Sequence, residues 1–203
     1  MQIKKETMKE NILLAAESEF LEKGFQKASI RNIVSKSNTT IGNFYNYFEN
    51  KEAVFKELIM DVYVSFKYLL ENHDTIERVN YLWEISDVHI WRKELLVYIK
   101  NMMPNLNNRF LLLVDCSDGT PYAHVKTDLI SLLSSHFMEH VNEFSPDYPF
   151  DEMASILSHQ FFMSMIQILK TTKEDNRRSE LMIEQFLFFA IGTMGLLKGE
   201  AND

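Results

Sequence analysis

The chain has 203 residues, of which 46% are hydrophobic and 25% charged, with only six Gly, four Pro and one Cys. That balance excludes a disordered chain. The scarcity of turn residues excludes a sheet-rich fold, which needs turn chemistry every 8 to 12 residues or so, and the lone Cys116 excludes an internal disulfide framework. The net charge of −8 argues against nucleic acid only when taken whole: residues 1–56 hold nine Lys or Arg against seven Glu, a net of +2, which leaves −10 on the remainder. A mildly basic N-terminal segment on an acidic body suggests two functions in one chain.

In chain order, helix follows helix. Thr7-Met8-Lys9-Glu10 has the form of a capping box, with Ile12, Leu13, Ala16 and Phe20 following at helical spacing. Gly24 supplies the stop, and Ser29 is placed to cap a short second helix over 30–37, with Ile30, Ile33 and Val34 inward and Arg31 outward. "SNTT" breaks it, and Thr39 or Thr40 can cap a third. Asn50 begins a long run to about Asn72 with Val54, Phe55, Leu58, Val62, Phe66 and Leu69 on one stripe. Further helices are predicted over 74–103, 105–114, 122–144, 150–172 and 177–198, separated by Pro104, "DCSDGTP", "SPDYP" and a short polar joint. No strand-like alternation interrupts them, so the expected fold class is all-α.

Two short helices joined by a tight polar turn describe a helix-turn-helix, whose second helix enters the major groove. The segment "TTIGNFYNYFENKEAVF" suits that place. Asn pairs with adenine through its amide, and an aliphatic side chain or a Thr methyl touches the thymine methyl. Thr40, Ile41, Asn43 and Asn46 are such residues, and Gly42 lets the backbone come close. Tyr45, Tyr47 and Thr40 carry hydroxyls able to donate to phosphate oxygens, and Lys51 offers a charged contact. Phe44 and Phe48, four apart, share the face that packs inward.

The run from about Thr7 to Leu58 resembles the N-terminal DNA-binding domain of the tetracycline-repressor (TetR) family of bacterial transcription regulators. The resemblance is carried by "AAESEFLEKGFQKASIRNIVSKSNTTIGNFYNYFENKEAVF", including Ala15-Ala16, Phe20, Gly24-Phe25, Ser29, Ile33 and Tyr45-x-Tyr47-Phe48-x-x-Lys51-Glu52. It covers a quarter of the chain. It implies a helix-turn-helix domain over 1–50 and a helical ligand-sensing and dimerising domain over 51–203. The protein would then be a homodimeric repressor, released from a palindromic operator by a small-molecule effector. By position, Ser29, Thr40, Tyr45, Tyr47 and Lys51 match phosphate-contacting places, and Arg31, Ile41, Asn43 and Asn46 match places that face bases. The sequence departs from the family at Ile41, where Lys or Ser is common, and at Asn38, where Gly commonly sits. Asn tolerates a left-handed backbone.

The same resemblance implies a dimer interface built from the last two helices, and the near-continuous apolar run Phe186 to Leu197 needs cover on most of its faces. Trp83, Trp91, Tyr98, Met102, Phe110, Tyr122 and Phe162 are candidates to line an effector pocket, since aromatics and Met suit adaptable apolar sites. "HFMEH" fits the H-x-x-E-H pattern of one zinc-peptidase class, so the alternative function is a metal-dependent hydrolase using His136, Glu139 and His140. The blander reading of that stretch is the polar face of an amphipathic helix. No phosphate loop or nucleophile elbow is present, so the expectation is a non-enzyme without catalytic residues, cofactor or metal. No signal core opens the chain and the apolar run at 186–197 is too short to span a bilayer, which needs about 18 residues. The expected setting is the cytoplasm, with DNA as partner.

Overall fold

A computed structural model describes residues 2–76, 89–90, 92–93, 96–97, 106–144 and 149–199. The described residues form eight helices: α1 (Gln2–Lys27), α2 (Ile30–Lys36), α3 (Ile41–Phe44), α4 (Lys51–Ile76), α5 (Asn108–Asp115), α6 (Val125–Phe144), α7 (Asp151–Thr171) and α8 (Asp175–Gly199). No strand occurs among them, and the all-α expectation is met. The helix expected over 74–103 falls mostly outside the described residues. The chain divides into two compact units, 1–68 with 105–126 and 69–104 with 127–203.

The first unit is built on a ring triad. Phe20 of α1, Phe25 beyond its bend and Phe55 of α4 meet with centroids 5.2–5.8 Å apart. Each such pair contributes about 0.5–1.5 kcal/mol beyond the area it buries. Ile12, Ala16, Ile33, Val34, Phe44, Phe48, Val54, Leu58 and Ile59 complete the core. α5 is apolar on nearly every side, Phe110 to Val114 all being buried. It packs on α1, where Asn108 Nδ2 donates to Glu17 Oε1 at 3.1 Å and Phe25 N–H donates to the Cys116 carbonyl at 2.9 Å.

α1 starts earlier than its capping box suggests. Thr7 lies inside the helix, which runs back to Gln2, because Gln2 to Glu6 contain no residue that stops a helix. At the other end Gly24 takes φ 71°, ψ 162°, a combination open essentially to glycine alone. The bend lets Phe25 to Lys27 add one redirected turn. Ser29 caps α2, its side chain accepting from Asn32 N–H at 3.2 Å. α2 ends in a Schellman closure: Thr39 N–H donates to Val34 O at 3.0 Å and Asn38 N–H to Ser35 O at 3.3 Å. Asn38 sits at the left-handed position with φ 53°, so Asn does there what Gly commonly does.

In the second unit, Val141, Phe150 and Ala154 form a buried cluster with Phe137, Met138 and Leu157 packed against it. Phe161 of α7 meets Phe137 of α6 and both Phe186 and Phe189 of α8 edge-on, and Gln185 Nε2 donates to the Phe161 carbonyl at 2.6 Å. α7 and α8 thus pack as a pair. Met153, Ile156 and Met163 of α7, with Phe188 and Ile191 of α8, nevertheless stay exposed in the single chain, Phe188 at 76%.

Candidate nucleic-acid interface

The α2–turn–α3 surface is held to α1 by one buried carboxylate. Glu19 is 1% exposed; its Oε1 accepts from Asn32 Nδ2 at 2.8 Å and Ser29 N–H at 3.5 Å, and its Oε2 from Lys36 Nζ at 2.8 Å. Both ends of α2 are therefore tied to a single side chain. Burial raises the Glu19 pKa, but the hydrogen bonds from Lys36, Asn32 and Ser29 outweigh it and leave the carboxyl below its ordinary range. Lys36 also reaches Glu22 at 3.1 Å. The sequence carries a signal for this residue: Glu19 lies seven positions after Ile12 and four after Ala15, on the inner stripe of α1, where a charge demands partners.

α3 is opened by Thr40, whose side chain accepts from Asn43 N–H at 3.1 Å. The aromatic residues of α3 and of the turn that follows it divide into two sets. Phe44 and Phe48 are buried, 5.8 Å apart, while Tyr45 is 53% exposed with its ring edge-on to Phe44 at 5.5 Å. Tyr47 is half-buried. Arg31, Thr40, Ile41 and Asn46 are exposed, and Ser29 and Asn43 are half-buried. Asn43 Nδ2 donates to Thr39 Oγ1 at 2.7 Å, and Asn46 Nδ2 donates to Asn43 Oδ1 at 3.4 Å. The helix thus places hydroxyls, amides and one aliphatic side chain on a solvent face, backed by two buried rings. All nine residues singled out for DNA contact lie in this unit.

Lys51, expected at a phosphate, makes its contacts in this structure within the chain. Its ammonium donates to the carbonyls of Phe25 at 2.6 Å, Ala28 at 2.9 Å and Gln26 at 3.3 Å, and stands 4.4 Å from the Phe25 ring centroid. These carbonyls are the ones a helix end leaves without intrahelical partners, where a cation is favoured. Burial lowers the Lys51 pKa. With its three N–H groups directed at three carbonyls, the side chain clamps the start of α4 to the end of α1.

Of the candidate pocket residues, Trp83, Trp91, Tyr98 and Met102 lie outside the described residues. Phe110 is fully buried and stacked on Phe66 at 4.6 Å, and Tyr122 meets Tyr63 edge-on at 5.3 Å, both within the first unit; Phe162 is buried in the second. On α6, His136 Nδ1 lies 4.0 Å from Glu139 Oε2, and the His140 side chain is outside the described residues. Among the described residues no three His, Cys, Asp or Glu side chains come together as a metal site, and no helix is long and apolar enough to cross a membrane. The hydrolase alternative finds no support.

A capped turn followed by a helix with buried rings and a polar outer face is the arrangement of a helix-turn-helix. Comparison with known proteins agrees. Residues 12–58 match the family of bacterial regulatory proteins, tetR family. The HTH-type transcriptional regulator YdgC of Bacillus subtilis (strain 168), itself uncharacterized, is 41% identical over 64 residues, 32% of this chain and 33% of that protein. The chain thus aligns with about a third of the length of that relative. Two crystal structures of a gamma-butyrolactone receptor (ArpA-like protein) share the fold. One has a TM-score of 0.52 at 18% identity, covering 88% of this chain and 85% of that one; the other has a TM-score of 0.50 at 18% identity, covering 98% and 99%. Over residues 12–58, therefore, the chain is similar to the bacterial regulatory proteins of the tetR family.

Proposed function

We propose that this protein is a cytoplasmic, homodimeric repressor that leaves its operator when a small molecule binds its helical body. The observation that carries the reading is the division of α3 and its following turn into buried Phe44 and Phe48 and an exposed face of Ile41, Tyr45 and Asn46. Residues 1–50 contact DNA: Tyr45, Tyr47, Thr40 and Ser29 meet phosphates, Arg31, Ile41 and Asn46 face bases, and Asn43 stands behind Asn46 with its amide held by Thr39 and Asn46. Lys51 acts by positioning. Residues 51–203 sense and dimerise, with Phe162 a lining candidate, and the fold shared with a protein named as a receptor supports a small-molecule effector. Exposed Met153, Ile156, Met163, Phe188 and Ile191 on α7 and α8 support dimerisation through those helices. A symmetric dimer is the commonest way to cover such a face and matches a palindromic site.

The test is fluorescence anisotropy with duplexes taken from the DNA flanking the gene. Salt-dependent binding that prefers one fragment is expected. Tyr45→Phe, which keeps the ring against Phe44 and removes only the hydroxyl, should weaken it without changing the oligomeric state. Binding no tighter than to a random duplex of the same length would reject the reading.

A further inference from the structure

The short helix α3 can be taken residue by residue for what each side chain does inside the chain. Phe44 is core, Thr40 is the cap, and Asn43 is engaged at both ends of its amide, by Thr39 and by Asn46. Gly42 has no internal task. Its backbone is not in the positive-φ region, and a Cβ built on it meets nothing within 4 Å. A glycine inside a helix costs about 1 kcal/mol relative to alanine. A cost with no return inside the molecule marks a place where something outside comes close. Ile41, Gly42, Tyr45 and Asn46 are all exposed and stand at i, i+1, i+4 and i+5, on one side of the helical turn.

The chemistry of that side is selective. Asn46 directs one amide N–H at Asn43 Oδ1. Its other N–H and its carbonyl oxygen have no partner among the described residues. One donor beside one acceptor matches the N7 acceptor and N6–H donor of adenine, whereas guanine offers two acceptors, O6 and N7, and calls for two donors. Ile41, 44% exposed, offers an aliphatic surface of the kind that covers a thymine methyl, and no cation stands among these four residues.

We propose that the α3 face reads A·T base pairs. Asn46 holds an adenine edge, Ile41 covers a thymine methyl, Gly42 is the point of closest approach, and Asn43 positions the Asn46 amide. The inference rests on the DNA-binding function proposed above and adds the class of sequence read.

The experiment selects binding duplexes from a random-sequence library with the full chain, then replaces each selected adenine by 7-deazaadenine and each thymine by uracil. A·T pairs are expected at the sensitive half-site positions. At one of them 7-deazaadenine should weaken the parent protein about tenfold and leave Asn46→Ala within about twofold, and at another, uracil should weaken the parent and not Ile41→Ala. Asn43→Ala releases the second Asn46 N–H, so guanine should become an acceptable replacement for adenine there, a change of specificity that loss of packing does not produce. Gly42→Ala should melt no lower than the parent and bind about tenfold more weakly or worse. Sensitive positions that are all G·C, or unaltered 7-deazaadenine sensitivity in Asn46→Ala, would overturn the inference while leaving the regulator reading intact. A library that yields no preferred sequence would reject the proposed function, and this inference with it.

Discussion

Glu19→Ala tests whether one buried carboxylate holds the DNA-reading unit together. The substitution leaves the Asn32 amide and the Ser29 N–H without their acceptor, and Lys36 with only Glu22. A hydrogen bond to a charged group contributes about 1.5–3 kcal/mol, which is the Asn32 share. The Lys36 pair, although 2.8 Å long, involves a side chain 36% exposed that can turn to Glu22 or water, so it adds only about 0–1 kcal/mol. The sum is about 3 kcal/mol, or about 6–12 °C in Tm for a chain of this size. Thermal melting by circular dichroism and urea unfolding measure it directly.

Glu19→Gln provides the pH control. The folded-state pKa of Glu19 lies below its ordinary value of 4.5. Its stabilisation is therefore complete above about pH 4.5 and is lost as the pH falls through the folded value. The stability gap between the parent and Glu19→Gln should be constant near neutrality and close on acidification. A Glu19→Ala loss below about 1 kcal/mol, or a gap independent of pH down to acid unfolding, would refute the network reasoning.

Three further outcomes are expected. Lys51→Met should lower both stability and DNA affinity while leaving the slope of log K against log salt unchanged; a slope reduced by about 0.9 would return the residue to a phosphate. Gly24→Ala should destabilise by about 1–3 kcal/mol although nothing lies within 4 Å of the new methyl, because φ 71°, ψ 162° is closed to alanine; an unchanged melting curve would contradict the bend. Phe188→Asp, at a position 76% exposed in one chain, should give folded monomers in sedimentation and weaken operator binding sharply, whereas an intact dimer would place the interface elsewhere.

Much of the first unit was legible because its signals are local. The Ser29 and Thr40 caps, the Gly24 bend, Asn38 at the left-handed turn and the Phe44/Phe48 pair each depend on neighbours within a few positions. The Lys51 clamp has no local trace, because its partners, Phe25 to Ala28, lie more than twenty residues back along the chain. The Glu19 network is hidden for a related reason: a charge on an apolar stripe shows that partners exist without naming them. The packing of α5 on α1, through Asn108–Glu17 and Phe25–Cys116, likewise has no sequence-local trace.

Taken alone, the sequence determined the helices of the first unit, the Ser29 and Thr40 caps, the division of the aromatic residues at 44–48 and the resemblance of residues 12–58 to a known family, because hydrophobic period, capping and turn chemistry act over one or two turns of chain. The tertiary structure alone decided that Lys51 clamps α4 to α1, that Glu19 gathers both ends of α2, and that Asn43 is engaged by its neighbours while Asn46 keeps a donor and an acceptor exposed. Those are questions of which groups meet across folded elements and which remain open to solvent. Long-range burial and hydrogen-bond partnering answer them, and no spacing along the chain encodes either.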